Sequence, residues 1–166
     1  MSLPNLIFRP MTDGEARAIA EWHYEEPYTF YDMSQDAGDL RELLDPTSRQ
    51  ERGYFSALDP DGDLVGFLGL RKEGETVEIG LGLRPDLTGR GLGLGFLEAG
   101  LTFAEDAFRP RGFRLAVAAF NERAIRVYGR AGFHLSKRYL HETNGGVHEF
   151  VEMVREARPH RASSSP

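Results

Sequence analysis

The sequence predicts an α+β fold: a mixed, mostly antiparallel central sheet of about seven strands, flanked by about four helices. Seven short apolar runs are bounded by Gly, Pro, Asn and Asp, as strands are. Four other stretches have apolar residues at helical spacing, with capping or terminating residues at their ends. One glycine-rich joint leads from a strand into a helix and then into another strand, which predicts a parallel crossover.

The elements of the first half are separated by clear turn signals. Thr12 and Glu15 have the spacing of a capping box, so a first helix is expected from there to about residue 24. Ser34 or Asp36 can cap a second helix, which Pro46 is expected to close. The predicted strands are residues 6–10, 54–58, 64–71 and 76–83.

The second half repeats the alternation of helix and strand. Asn121 is a candidate N-cap for a helix over residues 122–131. Residues 143–146, Thr-Asn-Gly-Gly, predict a hairpin. The elements expected here are a helix from about residue 94 to 108 and strands over residues 113–120, 134–142 and 147–154.

Composition limits the classes of function. The chain has 166 residues, a net charge of −6 and no cysteine. We expect one domain over residues 1–155 and a polar, disordered tail over 156–166. The lack of cysteine excludes disulfides and thiol nucleophiles, and the acidity argues against nucleic acid or anionic membrane as partners. With no signal peptide and no long apolar stretch, a cytoplasmic protein is expected.

Aromatic and acidic side chains alternate in residues 22–32. Trp22 and Phe30 fit a packed corner between helices, whereas Tyr28, Tyr31 and Asp32 are predicted to form a wall of a substrate pocket. His134, His141 and His148 lie on the two hairpin strands without the spacing of a zinc site, so no metal is expected.

The glycine-rich joint, residues 88–95, predicts a phosphate-binding loop. It reads Thr-Gly-Arg-Gly-Leu-Gly-Leu-Gly and leads into a helix, whose first N–H groups lack intrahelical partners and favour anions. The stretch matches neither a Walker A loop nor the dinucleotide fingerprint G-x-G-x-x-G. Nucleotide hydrolysis and NAD binding are therefore poor interpretations.

Two motifs in this order resemble the GNAT superfamily of N-acetyltransferases. The first combines Leu-Gly-Leu-Arg-Pro at residues 81–85 with Gly-Arg-Gly-Leu-Gly at residues 89–93, and the second includes Asn121, Tyr128 and the Gly-Phe pair at residues 132–133. The resemblance implies the acyl-CoA N-acyltransferase fold, acetyl-CoA as co-substrate, and a plausible homodimer. Thr88 departs from it, because the family usually has Gln or Arg there.

The resemblance also implies roles for individual residues. Leu81 and Leu83 would pair their backbone with the pantetheine arm as an added strand does, and an N–H near Leu81 would stabilise the oxyanion. Asn121 is expected either to contact a pantetheine amide or to act only as an N-cap, and Arg130 either to reach a phosphate or to face solvent. The cofactor-binding set is Leu81, Leu83, Thr88, Gly89, Arg90, Gly91, Leu92, Gly93, Leu94, Asn121, Ala124 and Tyr128.

Tyr128 and Glu78 are the candidate catalytic residues. Tyr128 occupies the motif position of the general acid that donates a proton to the thiolate leaving group. Glu78, upstream on the same strand as Leu81, is the first candidate for the base that deprotonates the amine; His23, Tyr31 and Asp32 are weaker candidates. Because the family often uses an ordered water, a direct base is not required.

These observations predict an N-acetyltransferase in which a primary amine attacks acetyl-CoA directly in a ternary complex. The acceptor is expected to be a small cationic amine or a protein N-terminus. One alternative keeps the fold but uses a longer acyl-CoA, and another is a catalytically idle sensor that binds acyl-CoA. The retained Tyr128 favours the enzyme.

Overall fold

Seven strands form one mixed sheet in the computed structural model, which describes residue 3 and residues 5–157. The strands are β1 (Ile7–Pro10), β2 (Tyr54–Leu58), β3 (Leu64–Glu73), β4 (Thr76–Leu83), β5 (Gly112–Ala118), β6 (His134–Thr143) and β7 (Gly146–Glu156). Their spatial order is β1-β2-β3-β4-β5-β7-β6, and every neighbouring pair is antiparallel except β4 and β5. The predicted fold class and the single parallel crossover are confirmed.

The parallel pair is short, and this determines where a site can form. Only residues 76–78 of β4 pair with residues 112–114 of β5, although β4 continues to Leu83 and β5 to Ala118. Beyond the paired residues the two strands diverge. Their inner edges therefore carry backbone N–H and C=O groups that no neighbouring strand satisfies.

Two apolar clusters hold the helices against the sheet. The helices are α1 (Asp13–Ala20), α2 (Ala37–Leu44), α3 (Pro46–Arg52), α4 (Gly93–Phe108) and α5 (Glu122–Arg130). The larger cluster packs Phe96, Leu97 and Leu101 of α4 against strand residues such as Phe113 and Leu115. The smaller one joins Ile19 of α1 and Leu43 of α2, with Trp22 and Phe67 packed against it.

The predicted end of α2 before Pro46 is confirmed, but two other features of the helices differ from the prediction. Pro46 also begins α3, a fifth helix that was not predicted, because Asp45 accepts a hydrogen bond from the Ser48 N–H and caps it. The first helix ends at Ala20, not near residue 24, because the Tyr24 N–H donates to the Asp32 carboxylate (2.9 Å) instead of continuing the helix.

Strand β7 extends almost to the C-terminal end of the described residues. β7 continues to Glu156, so the predicted boundary at residue 155 falls inside a strand, and residues 158–166 of the predicted tail lie outside the described residues. None of the helices in residues 5–157 is both long and apolar enough to span a bilayer.

Glu15 connects α1 to the edge of the sheet. Its carboxylate accepts hydrogen bonds from the Thr12 N–H, Arg9 and the buried Ser56 hydroxyl, so the predicted capping box is confirmed and extended. Burial acts to raise the pKa of Glu15, but these hydrogen bonds and Arg9 outweigh it and lower the pKa.

We expect Glu15→Gln to lower the free energy of unfolding by about 1 kcal/mol at pH 7, from weakened hydrogen bonds to a charged group. Because the folded-state pKa lies below the ordinary glutamate value of 4.5, the carboxylate stabilises the fold above that pH. The difference between variant and wild type should shrink as the pH falls through and below 4.5. Urea denaturation at several pH values measures this, with exposed Glu21→Gln as control; a difference independent of pH would contradict it.

Candidate active site

A cavity of about 520 Å³ opens where β4 and β5 diverge. Its walls come from the two diverging strands, the glycine-rich loop, α5, the segment containing residues 24–33, and the tip of the β6–β7 hairpin. Most of the predicted site residues therefore lie around one space.

The inner edge of β4 presents the backbone groups of Leu81 and Leu83. The Arg84 N–H donates to the Val65 carbonyl of β3 (2.9 Å). The backbone N–H and C=O groups of even-numbered β4 residues therefore point toward β3, and those of odd-numbered residues point away from it. Backbone polar groups alternate sides along a strand, and the Leu83 carbonyl accepts a hydrogen bond from the Tyr24 hydroxyl (2.7 Å) on the cavity side. The Leu81 N–H consequently faces the cavity, as an oxyanion donor or strand partner requires.

The two glycines of β4, Gly80 and Gly82, have different surroundings. A Cβ built on Gly80 would meet nothing within 4 Å, so this position leaves open space in the cavity wall. A Cβ on Gly82 would lie 2.5 Å from the Phe67 ring. Gly80 thus leaves space toward the cavity, whereas Gly82 makes room for the Phe67 ring.

The glycine-rich loop forms a cradle that fits a diphosphate. Gly89 and Gly91 have φ of +71° and +76°, a conformation that L side chains rarely adopt. A Cβ on Gly91 would meet nothing within 4 Å, so the loop leaves an open surface beside the N-terminus of α4. Leu92 is buried and anchors the loop in the core, whereas the Thr88 hydroxyl donates to the Pro85 carbonyl (2.7 Å). Arg90, Gly93 and half-buried Leu94 complete the loop and the first turn of the helix.

A cation that the sequence analysis missed lies beside this cradle. The Arg123 guanidinium stacks 3.9 Å from the centre of the Tyr28 ring, and it lies 3.7 Å from the position of a Cβ on Gly89. Tyr28, predicted to bind substrate, is thus close to the loop. Arg130, predicted as a phosphate contact or a solvent-facing residue, also lines the cavity. The signal for Arg123 was its place in the first turn of α5, two residues after the cap Asn121.

α5 brings Tyr128, Ala124 and Asn121 to the cavity. Burial raises the pKa of the Tyr128 phenol, which keeps it protonated at neutral pH. Asn121 caps α5, since its Oδ1 accepts from the Ala124 N–H (3.1 Å), and its Nδ2 donates to the Tyr31 hydroxyl (3.1 Å). The N-cap prediction is confirmed; contact with pantetheine stays a prediction, for which one amide N–H remains.

Glu78 lies at the point where β4 and β5 separate. It is the last residue of β4 in the parallel pairing, and the cavity wall begins at the next residue, Ile79. Its carboxylate accepts hydrogen bonds from Arg114 (3.0 Å) and Arg71 (3.3 Å). The structure therefore places Glu78 beside the cavity rather than in its wall.

The part of the cavity wall where the acceptor was expected contains residues from 24–33 and from the hairpin. Tyr31 and Asp32 line the cavity, as predicted; Asp32 is buried and bonds to His23 Nδ1 (2.6 Å). Sequence reasoning missed Asp39, a lining residue whose pKa is raised by partial burial and by the nearby carboxylates of Asp36 and Glu42. It also missed the hairpin tip, where Asn144 bonds to the Phe30 carbonyl (2.7 Å) and to Asp36.

Comparison with known proteins agrees with this geometry. A family model described as an acetyltransferase (GNAT) domain matches residues 5–134. A mycothiol acetyltransferase from Salinispora arenicola is 31% identical over 138 residues, covering 76% of this chain and 43% of that protein. The one from Streptomyces coelicolor is 33% identical over 131 residues, covering 76% and 38%. The chain thus spans less than half the length of these curated relatives.

Solved structures show the same fold. A spermidine N-acetyltransferase from Vibrio cholerae, in complex with CoA and spermine, superposes with a TM-score of 0.70 at 20% identity, covering 92% of this chain and 95% of that one. At this identity the likeness concerns the fold.

Proposed function

Because this chain belongs to the GNAT acetyltransferase family, we propose that it transfers the acetyl group of acetyl-CoA to a primary amine. The observation that carries the proposal is that the β4 edge, the glycine-rich cradle and Tyr128 all line one cavity. The cradle and α4 would hold the diphosphate, and Leu81 and Leu83 the pantetheine arm.

The residues around the cavity divide the chemistry between them. The amine nitrogen attacks the thioester carbonyl carbon, and the Leu81 N–H stabilises the negative charge that forms on the carbonyl oxygen. The C–S bond then breaks, and the Tyr128 hydroxyl donates its proton to the departing thiolate. The second proton, which the nitrogen loses as the amide forms, returns through water to the Tyr128 phenolate and restores the acid. Glu78 takes the proton of the acceptor ammonium through a water molecule before the attack. Orientation of the two reactants in one cavity supplies much of the rate.

The acceptor is proposed to be a cationic amine. Asp32 and Asp39 lie on the acceptor side, whereas Arg123 and Arg130 lie on the walls formed by α5. A cavity with carboxylates at one part of its wall favours an ammonium group there. Tyr28, whose ring stacks against the Arg123 guanidinium, lies between the acidic part and the basic part of the cavity wall.

The test is an acetyl-CoA assay with a panel of amines. Spermidine, an aminoglycoside, a free amino acid and a peptide with a free N-terminus represent the acceptor classes, and a thiol-reactive chromogen records the CoA that is released. Since the chain has no cysteine, the protein adds no thiol background. Turnover with at least one amine is expected. Tight acetyl-CoA binding without turnover of any amine would favour a sensor, and no binding would refute the proposal.

Glu78→Gln is expected to lower kcat about 10- to 100-fold, with little change in acetyl-CoA affinity, because it removes the proposed proton acceptor. Glu73→Gln is the matched control. Glu73 forms ion pairs with the same two arginines, Arg71 and Arg114, but lies at the turn end of β3. If both variants lose activity equally, the effect belongs to the arginine network and not to proton transfer.

A further inference from the structure

The Tyr24 hydroxyl occupies a backbone group that the proposed cofactor edge needs. A ligand that adds to a strand uses the N–H and C=O groups along its edge. On β4 the Leu83 carbonyl oxygen already accepts the Tyr24 hydroxyl at 2.7 Å. A pantetheine amide N–H and the phenol therefore converge on one acceptor atom.

Tyr24 belongs to a segment, residues 22–32, that is tied together internally. The Tyr24 N–H donates to Asp32 Oδ1 (2.9 Å), and His23 Nδ1 lies 2.6 Å from Asp32 Oδ2. The Asp32 side chain is only 5% exposed, so it has little freedom to move independently of these partners. A shift of Tyr24 away from β4 would thus be transmitted to Asp32 in the acceptor wall.

The same segment contacts the opposite strand through Tyr31. The Tyr31 hydroxyl accepts hydrogen bonds from the Ala118 N–H of β5 (3.2 Å) and from Asn121 Nδ2 (3.1 Å). The segment therefore bridges the gap between the diverging strands, with two hydrogen bonds to the β5 side and one from Tyr24 to the β4 side. The β4 contact is the one that a single competing donor can replace.

We infer that Tyr24 and the pantetheine arm compete for the Leu83 carbonyl oxygen, so that cofactor binding releases the segment and completes the acceptor wall. Tyr24 is a positioning residue in this scheme, because it acts through Leu83 and Asp32. The inference rests on the proposed function, and it predicts that the amine site forms after acetyl-CoA has bound.

Tyr24→Phe tests the competition by calorimetric titration with acetyl-CoA. Removal of the competing hydroxyl should tighten acetyl-CoA binding about 3- to 10-fold, the range of one ordinary hydrogen bond. At saturating acetyl-CoA the variant should keep the KM for the amine and kcat near the wild-type values, because the hydrogen bond from the Tyr24 hydroxyl to Leu83 is then broken in both proteins. Tyr54→Phe is the matched control: Tyr54 packs against Phe67 as Trp22 does, so removal of its hydroxyl should leave acetyl-CoA affinity unchanged.

The only tryptophan of the chain, Trp22, lies in the segment and reports its movement. Its ring packs 6.1 Å from the Phe67 ring, a contact that a shifted segment would alter. Titration of the wild-type protein with acetyl-CoA should change the tryptophan emission with the midpoint found by calorimetry. This measurement decides the question even if the Tyr24 variant does not fold.

The outcomes separate the inference from the proposed function. If wild type does not bind acetyl-CoA, the proposed function fails. If wild type binds it, but Tyr24→Phe binds equally or more weakly, the competition is refuted and the proposed function stands. Unchanged Trp22 emission on binding refutes the release of the segment in the same way.

Discussion

Tyr128→Phe is expected to lower kcat at least about 100-fold while acetyl-CoA affinity stays within about twofold of wild type. General acids contribute 10²- to 10⁴-fold, and the phenol is the proposed proton donor to the thiolate. Phenylalanine keeps the ring contact with Phe133, whose centre lies 6.2 Å away, so packing in α5 is preserved. The release of CoA with the best amine of the panel gives kcat, and calorimetry gives the affinity.

The pH dependence follows from the sign of the Tyr128 pKa shift. Burial raises the pKa above the ordinary tyrosine value of 10.0, so the phenol stays protonated throughout the neutral range. Loss of the acid should therefore not limit the rate of the wild-type enzyme below about pH 10. A fall in rate on the basic side near neutral pH that disappears in Tyr128→Phe would contradict the raised pKa of Tyr128.

Tyr31 is the control that tests the identity of the acid. It is a second phenol on the same cavity, and burial raises its pKa as well. Its oxygen, however, already accepts hydrogen bonds from Ala118 and Asn121, which fix it against β5. Tyr31→Phe should change the KM for the amine more than kcat. Full turnover in Tyr128→Phe together with a large loss of kcat in Tyr31→Phe would transfer the role to Tyr31.

The sequence was informative where local chemistry determines local structure. The capping box at Thr12, the N-cap at Asn121 and the turn at residues 143–146 were each predicted and confirmed, because their signals lie within a few residues of their effects. The seven strands and the parallel crossover followed from the same kind of signal. Pro46 shows the limit: a proline after an Asp fits both the end of one helix and the first turn of the next.

The parts of the site that depend on long-range contacts were not predictable in this way. Tyr24 bonds to Leu83 across 59 positions of sequence, and the hairpin residue Asn144 bonds to Asp36 across 108. Neither contact leaves a periodic or local pattern. The position of Glu78 at the separation of the strands depends on where β4 stops pairing with β5, which the register determines and apolar alternation does not.

The contrast between local signals and long-range contacts also applies to the glycines of the site. Gly80 and Gly82 look alike in sequence, but only the structure shows that one faces open space and the other the Phe67 ring. For Gly91 the two kinds of information agree: the glycine-rich stretch predicted a phosphate loop, and the residue has a positive φ and open space where a side chain would begin. It is consequently the position at which one methyl group tests the cofactor assignment most directly.

Gly91→Ala is expected to weaken acetyl-CoA binding about 10- to 100-fold. The added Cβ projects into the cradle and keeps the diphosphate from the loop N–H groups, and loss of one charge-assisted hydrogen bond accounts for a change of that size. Gly62→Ala is the matched control. Gly62 has φ of +88°, and a Cβ there also meets nothing within 4 Å, but it lies in the turn between β2 and β3, outside the cavity.

Both alanine variants should lose about 1 to 2 kcal/mol of unfolding free energy, because alanine is strained at positive φ in either place. Only Gly91→Ala should lose affinity, so the difference between the two isolates the cradle from general destabilisation. Urea denaturation and calorimetric titration provide the two numbers. Equal acetyl-CoA affinity in both variants would show that the diphosphate is held elsewhere, and the stacked Arg123 would then be the first residue to substitute.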